Sequence, residues 1–255
     1  MTTPTTLAYV ICSYPRSGSN YLCELLASTG TLGRPQDWFN GAGIRLREDA
    51  DYPLEPHAQL QQLLLRGGTG NGVHGMKMFC ASFDRIAGLD WPSALPQLHW
   101  IHLERQDLLG QAISDVRSTQ TGQYRSTAPV QADPRFDHRA ICDSLARTAR
   151  DAGRWKLFFA RNGLVPLQLN YEDVAARPQA AVDAVARFIG LEGAHPIHPQ
   201  RVTLDVQRDA LSDEWRRRFL AREKDVSRLE PLPAAATLWA RRQFSRLAQL
   251  ARPKG

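Results

Sequence analysis

Leu7-Ala-Tyr-Val-Ile-Cys12, then Ser13-Tyr-Pro-Arg-Ser-Gly-Ser19, then an apolar stripe at Tyr21, Leu22, Leu25 and Leu26: this opening decides the fold. The first run is short, apolar and rich in β-formers; the second has turn chemistry; the third has helical spacing. The order is strand, loop, helix. Working outward, short apolar runs at 73–79, 98–103 and 165–171 read as further strands, most of them followed by a helical pattern. Strands alternating with helices predict an α/β fold, a P-loop-like parallel sheet flanked by helices on both faces, with a helical C-terminal portion. Helices are predicted over 18–29, 57–66, 107–119, 139–161, 175–189, 213–223 and 235–250, and Gly67-Gly68, Asn162-Gly163 and Gly190 supply stops for three of them.

No repeat or linker divides the chain, so a single domain over 1–255 is expected. Residues 120–138 include Pro129 and Pro134 and have no period, which reads as a long surface loop or lid. The tail over 234–252 places Leu238, Trp239, Phe244 and Leu247 against Arg241, Arg242 and Arg246, an amphipathic basic helix. Such a helix suits packing on its own domain, a dimer contact or weak contact with a membrane surface.

The 255 residues are 43% hydrophobic and 23% charged, which supports a sizeable core and excludes a disordered tail. No apolar run approaches the ~18 residues of a membrane span. The polar start at 1–6 lacks the basic region of an export signal, so a cytoplasmic location is expected. A net charge of +6 suits an anionic ligand, but the 28 Arg and 4 Lys are dispersed, so no nucleic-acid partner is expected. Cys12, Cys23, Cys80 and Cys142 have no CxxC spacing and no histidine cluster beside them, and read as core. No metal site is expected: His99 and His102 point to opposite faces of a strand, and the other histidines are scattered.

A strand that ends in a Gly/Ser loop and restarts as a helix makes an anion cradle, because the first helical N–H groups lack intrahelical partners and the helix dipole is positive there. Gly18 lets the backbone approach a ligand, Ser17 and Ser19 offer hydroxyls, Asn20 opens the helix and Arg16 adds a planar cation. A phosphate or sulfate is expected at this loop. The pattern GxxxxGK(S/T) is absent, which weighs against an ordinary ATPase. A nucleotide-dependent kinase, a non-catalytic module binding anions or nucleic acid, and a plain strand–helix turn remain alternatives.

Tyr14-Pro-Arg-Ser-Gly-Ser-Asn-Tyr21 resembles the 5′-phosphosulfate loop of sulfotransferases, with Arg16 where the family usually has Lys. Ile101-His-Leu-Glu-Arg105 and the following residues to Ser114 resemble the family's 3′-phosphate element. Leu167-Gln-Leu-Asn-Tyr-Glu-Asp-Val174 is similar to its strand and YEDL turn, and Arg208 to Trp215 to a C-terminal loop, though without that loop's Gly. Gly33-Arg-Pro-Gln-Asp-Trp-Phe39 resembles the bacterial branch that includes trehalose 2-sulfotransferases and nodulation-factor-like sulfotransferases.

The resemblance implies 3′-phosphoadenosine 5′-phosphosulfate as co-substrate, no metal, and a hydroxyl acceptor that carries carbohydrate. It implies that Arg16, Ser17, Gly18, Ser19 and Asn20 hold the 5′ end, Arg105 and Ser114 the 3′-phosphate, and Tyr21 and Tyr171 the adenine, with Arg208 a further donor contact. Phe79 stands where many relatives carry a histidine base. Asp37 is instead expected as the base, as an exposed and ionised carboxylate, with Lys77 on the sulfuryl oxygens. Trp38 and Phe39 are expected either to line a sugar wall or to anchor the loop. The acceptor itself and the oligomeric state are left open, although the resemblance implies a homodimer.

Overall fold

The computed structural model describes residues 7–95, 97–125, 127–204, 210–223, 226–227, 229, 231–234, 237 and 240. Arg208 and most of the predicted tail helix lie outside the described residues. Four strands, β1 (Leu7–Ser13), β2 (Val73–Phe79), β3 (Leu98–Glu104) and β4 (Leu167–Asn170), form one sheet in the order β2-β1-β3-β4. All pairings are parallel, with Ile11 opposite Lys77 on one side and Ile101 on the other.

The two-residue period of β1 sorts the core. Ala8, Val10 and Cys12 face a cluster with Met76, Met78, Trp155 and Phe159, backed by α3 (Pro56–Arg66), α4 (Cys80–Arg85) and α6 (His138–Arg161). Leu7, Tyr9 and Ile11 face the other way, toward α1 (Ser19–Ser28) and α8 (Pro178–Phe188). A third cluster joins α5 (Leu108–Thr121) and α6 to α9 (Ala210–Leu220) through Ile113, Ile141, Trp215 and Phe219. His99 packs on Phe188 and His102 on Phe159, on opposite faces as the strand period requires.

Two predicted helices have different bounds, and two helices were not predicted. The helix expected over 175–189 is two, α7 (Tyr171–Ala176) and α8, because Pro178 keeps Arg177 out of the helical region. Gly41 and Gly43 hid α2 (Gly41–Arg47) from propensity reasoning, and α4 follows β2 without a turn residue to announce it. The helix placed at 213–223 is observed over Ala210–Leu220. Residues 122–137 connect α5 to α6 and contain no helix or strand among those described.

Candidate active site

The C-terminal ends of β1 and β3 open into a cavity of about 400 Å³. These strands are neighbours although β2 follows β1 in the chain, and such a crevice is where open α/β sheets take ligands. Gly18, with φ +82°, turns the chain from the β1 loop into α1. Arg16 is also left-handed, at φ +62°, a conformation disfavoured for a residue with a side chain. That turn sends its guanidinium across to α5, where Nε donates to Ser114 Oγ at 2.8 Å and Nη1 donates to the Tyr124 carbonyl at 2.6 Å. Burial holds the Arg16 pKa below its usual value.

Arg105 follows β3 and lies over the Tyr171 ring, 5.1 Å from its centre. Its Nη1 donates to the Arg16 carbonyl at 3.4 Å, and its Nη2 is 3.7 Å from Asp107. Glu172 accepts from the backbone N–H groups of Gln106 and Asp107, at 3.1 and 3.2 Å, and so fixes the turn that carries Arg105. Ser19, Asn20 and Tyr21 line the same cavity. Ser17 is fully buried.

Asp37 comes from the segment that covers edge strand β2. Lys77 N–H donates to the Gln36 carbonyl at 2.9 Å, and Trp38 Nε1 donates to the Gly75 carbonyl at 3.2 Å. Trp38 and Phe39 are buried in the core, so they anchor the loop. They carry Asp37 inward with them: it is 3% exposed, which corrects the expectation of an exposed carboxylate. Ser82 Oγ donates to Asp37 Oδ1 at 3.1 Å. Burial raises the Asp37 pKa, while the positive charge of Lys77, the Ser82 hydrogen bond and Arg85 and Arg47 oppose the rise.

Lys77 is 6% exposed. The sheet register sets it on the Ile11 face toward α1, where Nζ donates to Asn20 Oδ1 at 2.7 Å and lies 4.7 Å from the Phe79 ring centre. Burial lowers its pKa, and Asp37 counters that shift. A second cavity of about 450 Å³ adjoins, lined by Arg34, Gln36, Trp38, Glu48 and Arg66 among others. Asn20, Asp37, Arg47, Lys77 and Arg125 line both.

Comparison with known proteins gives the family. Residues 8–222 match the family described as Stf0 sulphotransferase. The chain belongs to the Stf0 sulphotransferase family. A trehalose 2-sulfotransferase of Mycobacterium tuberculosis is 27% identical, over 84% of this chain and 94% of its own length. One of Mycolicibacterium smegmatis is 25% identical, over 83% and 94%. Among solved structures, the sulfotransferase domain of the Synechococcus PCC 7002 olefin synthase aligns over 94% of both chains, with 18% identity and a TM-score of 0.43.

As an Stf0 sulphotransferase the chain takes its sulfuryl group from 3′-phosphoadenosine 5′-phosphosulfate, and the cavity fits that anion. Arg16, Arg47, Lys77, Arg105 and Arg125 line it against the carboxylates of Asp37 and Asp115. Ser17 Oγ and Arg105 Nε are buried without a hydrogen-bond partner among the described residues. Sequence reasoning missed Arg47 and Arg125, which lie in segments without a recognisable period, and Ser82 and Glu172, which act by holding other residues.

Other sequence candidates lie elsewhere in this sulphotransferase. His102 accepts or donates between Tyr14 and Gln168, and His74 bonds backbone carbonyls. Cys142 Sγ is 3.8 Å from His138 Nδ1, and Glu223 is 2.8 Å from His138 Nε2. One ligand atom from each of His138, Cys142 and Glu223 lies within 4.8 Å of the other two, a spacing that could hold a metal ion. An open groove of about 700 Å³ beside α8, lined by Gln179, Asp183, Arg187 and His195, contains none of the assigned residues. No helix among the described residues is long and apolar enough to cross a membrane.

Proposed function

We propose that the protein transfers the sulfuryl group of 3′-phosphoadenosine 5′-phosphosulfate to a hydroxyl of a carbohydrate, glycolipid or other sugar-bearing metabolite, with Asp37 as general base. The acceptor oxygen bonds to sulfur as the bond from sulfur to the 5′-phosphate oxygen breaks. The electron pair leaves on that phosphate, and the hydroxyl proton passes to Asp37. The products are a sulfate ester and adenosine 3′,5′-bisphosphate. The observation that carries this reading is the position of Asp37 and Lys77 on the wall shared by the two cavities. A base whose pKa is raised toward the working pH accepts a proton more effectively than an ordinary carboxylate.

In this reading Arg16, Ser17, Gly18, Ser19 and Asn20 hold the 5′ end, Arg105 and Ser114 the 3′-phosphate, and Tyr21 and Tyr171 the adenine. Lys77 faces the sulfuryl oxygens. Arg208 is assigned to the donor on sequence resemblance alone. The hydrogen bond from Arg16 to Ser114 supports a cradle in which both phosphate ends are read by one connected network. Trehalose, the sugar in the names of the two mycobacterial relatives, is the first acceptor to try. Cysteines outside any disulfide support a reducing compartment, and a cytoplasmic location and a homodimer belong to the same proposal.

Calorimetric titration with adenosine 3′,5′-bisphosphate, adenosine 5′-phosphate and ATP with magnesium tests the donor site. Preference for the bisphosphate is expected, followed by label transfer from the sulfated donor to trehalose or another sugar. Preference for ATP would return the chain to the kinase reading.

A further inference from the structure

Two of the five residues that line both cavities, Arg47 and Arg125, have no role so far. A group that moves from donor to acceptor must cross that wall. Arg125 reaches it from the connection between α5 and α6, with its guanidinium 3.6 Å from Glu24 on α1 and 3.7 Å from Glu48 just after α2. Its Nε is buried and has no partner among the described residues. Tyr124, one residue earlier, accepts the hydrogen bond from Arg16, so the donor loop and the backbone that carries Arg125 are tied together.

The wall brings Lys77, Arg47 and Arg125 together beside Asp37, Glu24 and Glu48, and Glu48 is shared between Arg125 and Arg47, the latter at 4.0 Å. Burial disfavours the charges of Arg47 and Lys77, and Arg125 adds to that effect on both. Glu24 is also engaged elsewhere, accepting from the backbone N–H groups of Thr203 at 2.8 Å and Leu204 at 3.1 Å. With Glu48 shared and Glu24 engaged elsewhere, the three cations on the faces of both cavities are placed to take a further anion between them.

We propose that Arg125, with Arg47 beside it, is a catalytic cation that grips the oxygens of the sulfuryl group as it passes between the cavities. The inference rests on the sulfotransferase reading above and adds two residues to it. Arg16 and Arg105 hold the phosphates at one end of the donor cavity, and Lys77, Arg47 and Arg125 form a separate group at the wall. Arginine suits the second task because its planar fork can meet two oxygens of one anion while its remaining donors stay on Glu24 and Glu48.

The test uses two nucleotides that differ by the sulfuryl group alone. Calorimetry on the full chain, without acceptor, compares 3′-phosphoadenosine 5′-phosphosulfate with adenosine 3′,5′-bisphosphate for wild type, Arg125→Ala, Arg125→Lys and Arg47→Ala. For Arg125→Ala the bisphosphate affinity should stay within about twofold, while the sulfated donor weakens by about tenfold or more, the scale of one charge-assisted hydrogen bond. Arg125→Lys should recover part of that loss, and Arg47→Ala should show the same selectivity. Single-turnover hydrolysis of the sulfated donor should fall about a hundredfold in Arg125→Ala, as when one preorganised donor to a developing anion is lost. Equal weakening of both nucleotides would make Arg125 a strap for its loop and overturn the proposal, as would no weakening of either. A wild-type protein that fails to prefer the bisphosphate over adenosine 5′-phosphate would instead sink the donor reading beneath it.

Discussion

The ring of Tyr171 fills the space that a Cβ on Gly18 would need. The loop after β1 and the junction of β4 with α7 are therefore interlocked at the donor cradle, and Arg105 closes the stack from above the ring. Gly18→Ala meets two obstacles: a left-handed φ of +82°, costing about 1–2 kcal/mol, and the ring itself. Binding of the bisphosphate should fall by about tenfold or more as the first turn of α1 shifts. Adding Tyr171→Ala removes the collision but not the backbone strain, so the double variant should fold closer to wild type than Gly18→Ala alone. Identical melting temperatures for the two would refute the interlock.

Arg105 is placed to distinguish nucleotides. Its fork is shared between the Arg16 carbonyl, Asp107 and the Tyr171 ring, while Nε stays free of any partner among the described residues. Arg105→Ala should weaken adenosine 3′,5′-bisphosphate by about tenfold to a hundredfold, the worth of a hydrogen bond to a charged group. Adenosine 5′-phosphate should weaken by no more than about threefold. Equal losses for the two nucleotides would move Arg105 to the 5′ end.

The cradle was legible because β1, its loop and α1 each carry a local signal: a β-rich run, turn residues and a helical stripe. The route of Arg16 to Ser114 was not, since it depends on a left-handed residue that no propensity predicts and on the packing of α5. Resemblance singles out Asp37 but says nothing of its burial. The aromatic pair that follows it, Trp38 and Phe39, was the available clue, because burying two large rings draws the adjacent carboxylate inward. Arg47 sits on a helix disguised by two glycines, and Arg125 in a connection with no period, so neither had a pattern to find.

The pH dependence follows from the environment of Asp37. Burial raises its pKa and Lys77 restrains the rise, so activity should grow with pH along an acidic limb above the ordinary carboxylate range. Lys77→Met removes the restraint and should move that limb to higher pH as well as lowering turnover. A limb that moves down, or does not move, would separate the two residues. Stability runs the opposite way. A carboxyl bound more tightly to its proton when folded costs nothing below its unfolded pKa, and its full penalty appears above the raised folded value. Asp37→Asn keeps the shape and can still accept from Ser82. It should be inactive, bind the bisphosphate normally, and melt above wild type at pH above the raised Asp37 pKa, with the gap closing as the pH falls into the ordinary carboxylate range. A constant gap would mean that the charge of Asp37 is not what destabilises the fold.

Trp38 tests whether the wall of the second cavity binds sugar or simply holds the loop. Its indole is buried, its Nε1 satisfies the Gly75 carbonyl on edge strand β2, and the Arg66 guanidinium lies 5.8 Å from the ring centre. Trp38→Phe keeps an aromatic face but strands that carbonyl, a loss of about 1–3 kcal/mol. At about 2–4 °C per kcal/mol for a chain of this size, the melting temperature should drop by several degrees. Because the ring belongs to the core more than to the cavity, acceptor KM should stay within about twofold while stability falls. A raised acceptor KM with an unchanged melting temperature would assign Trp38 to the sugar wall instead.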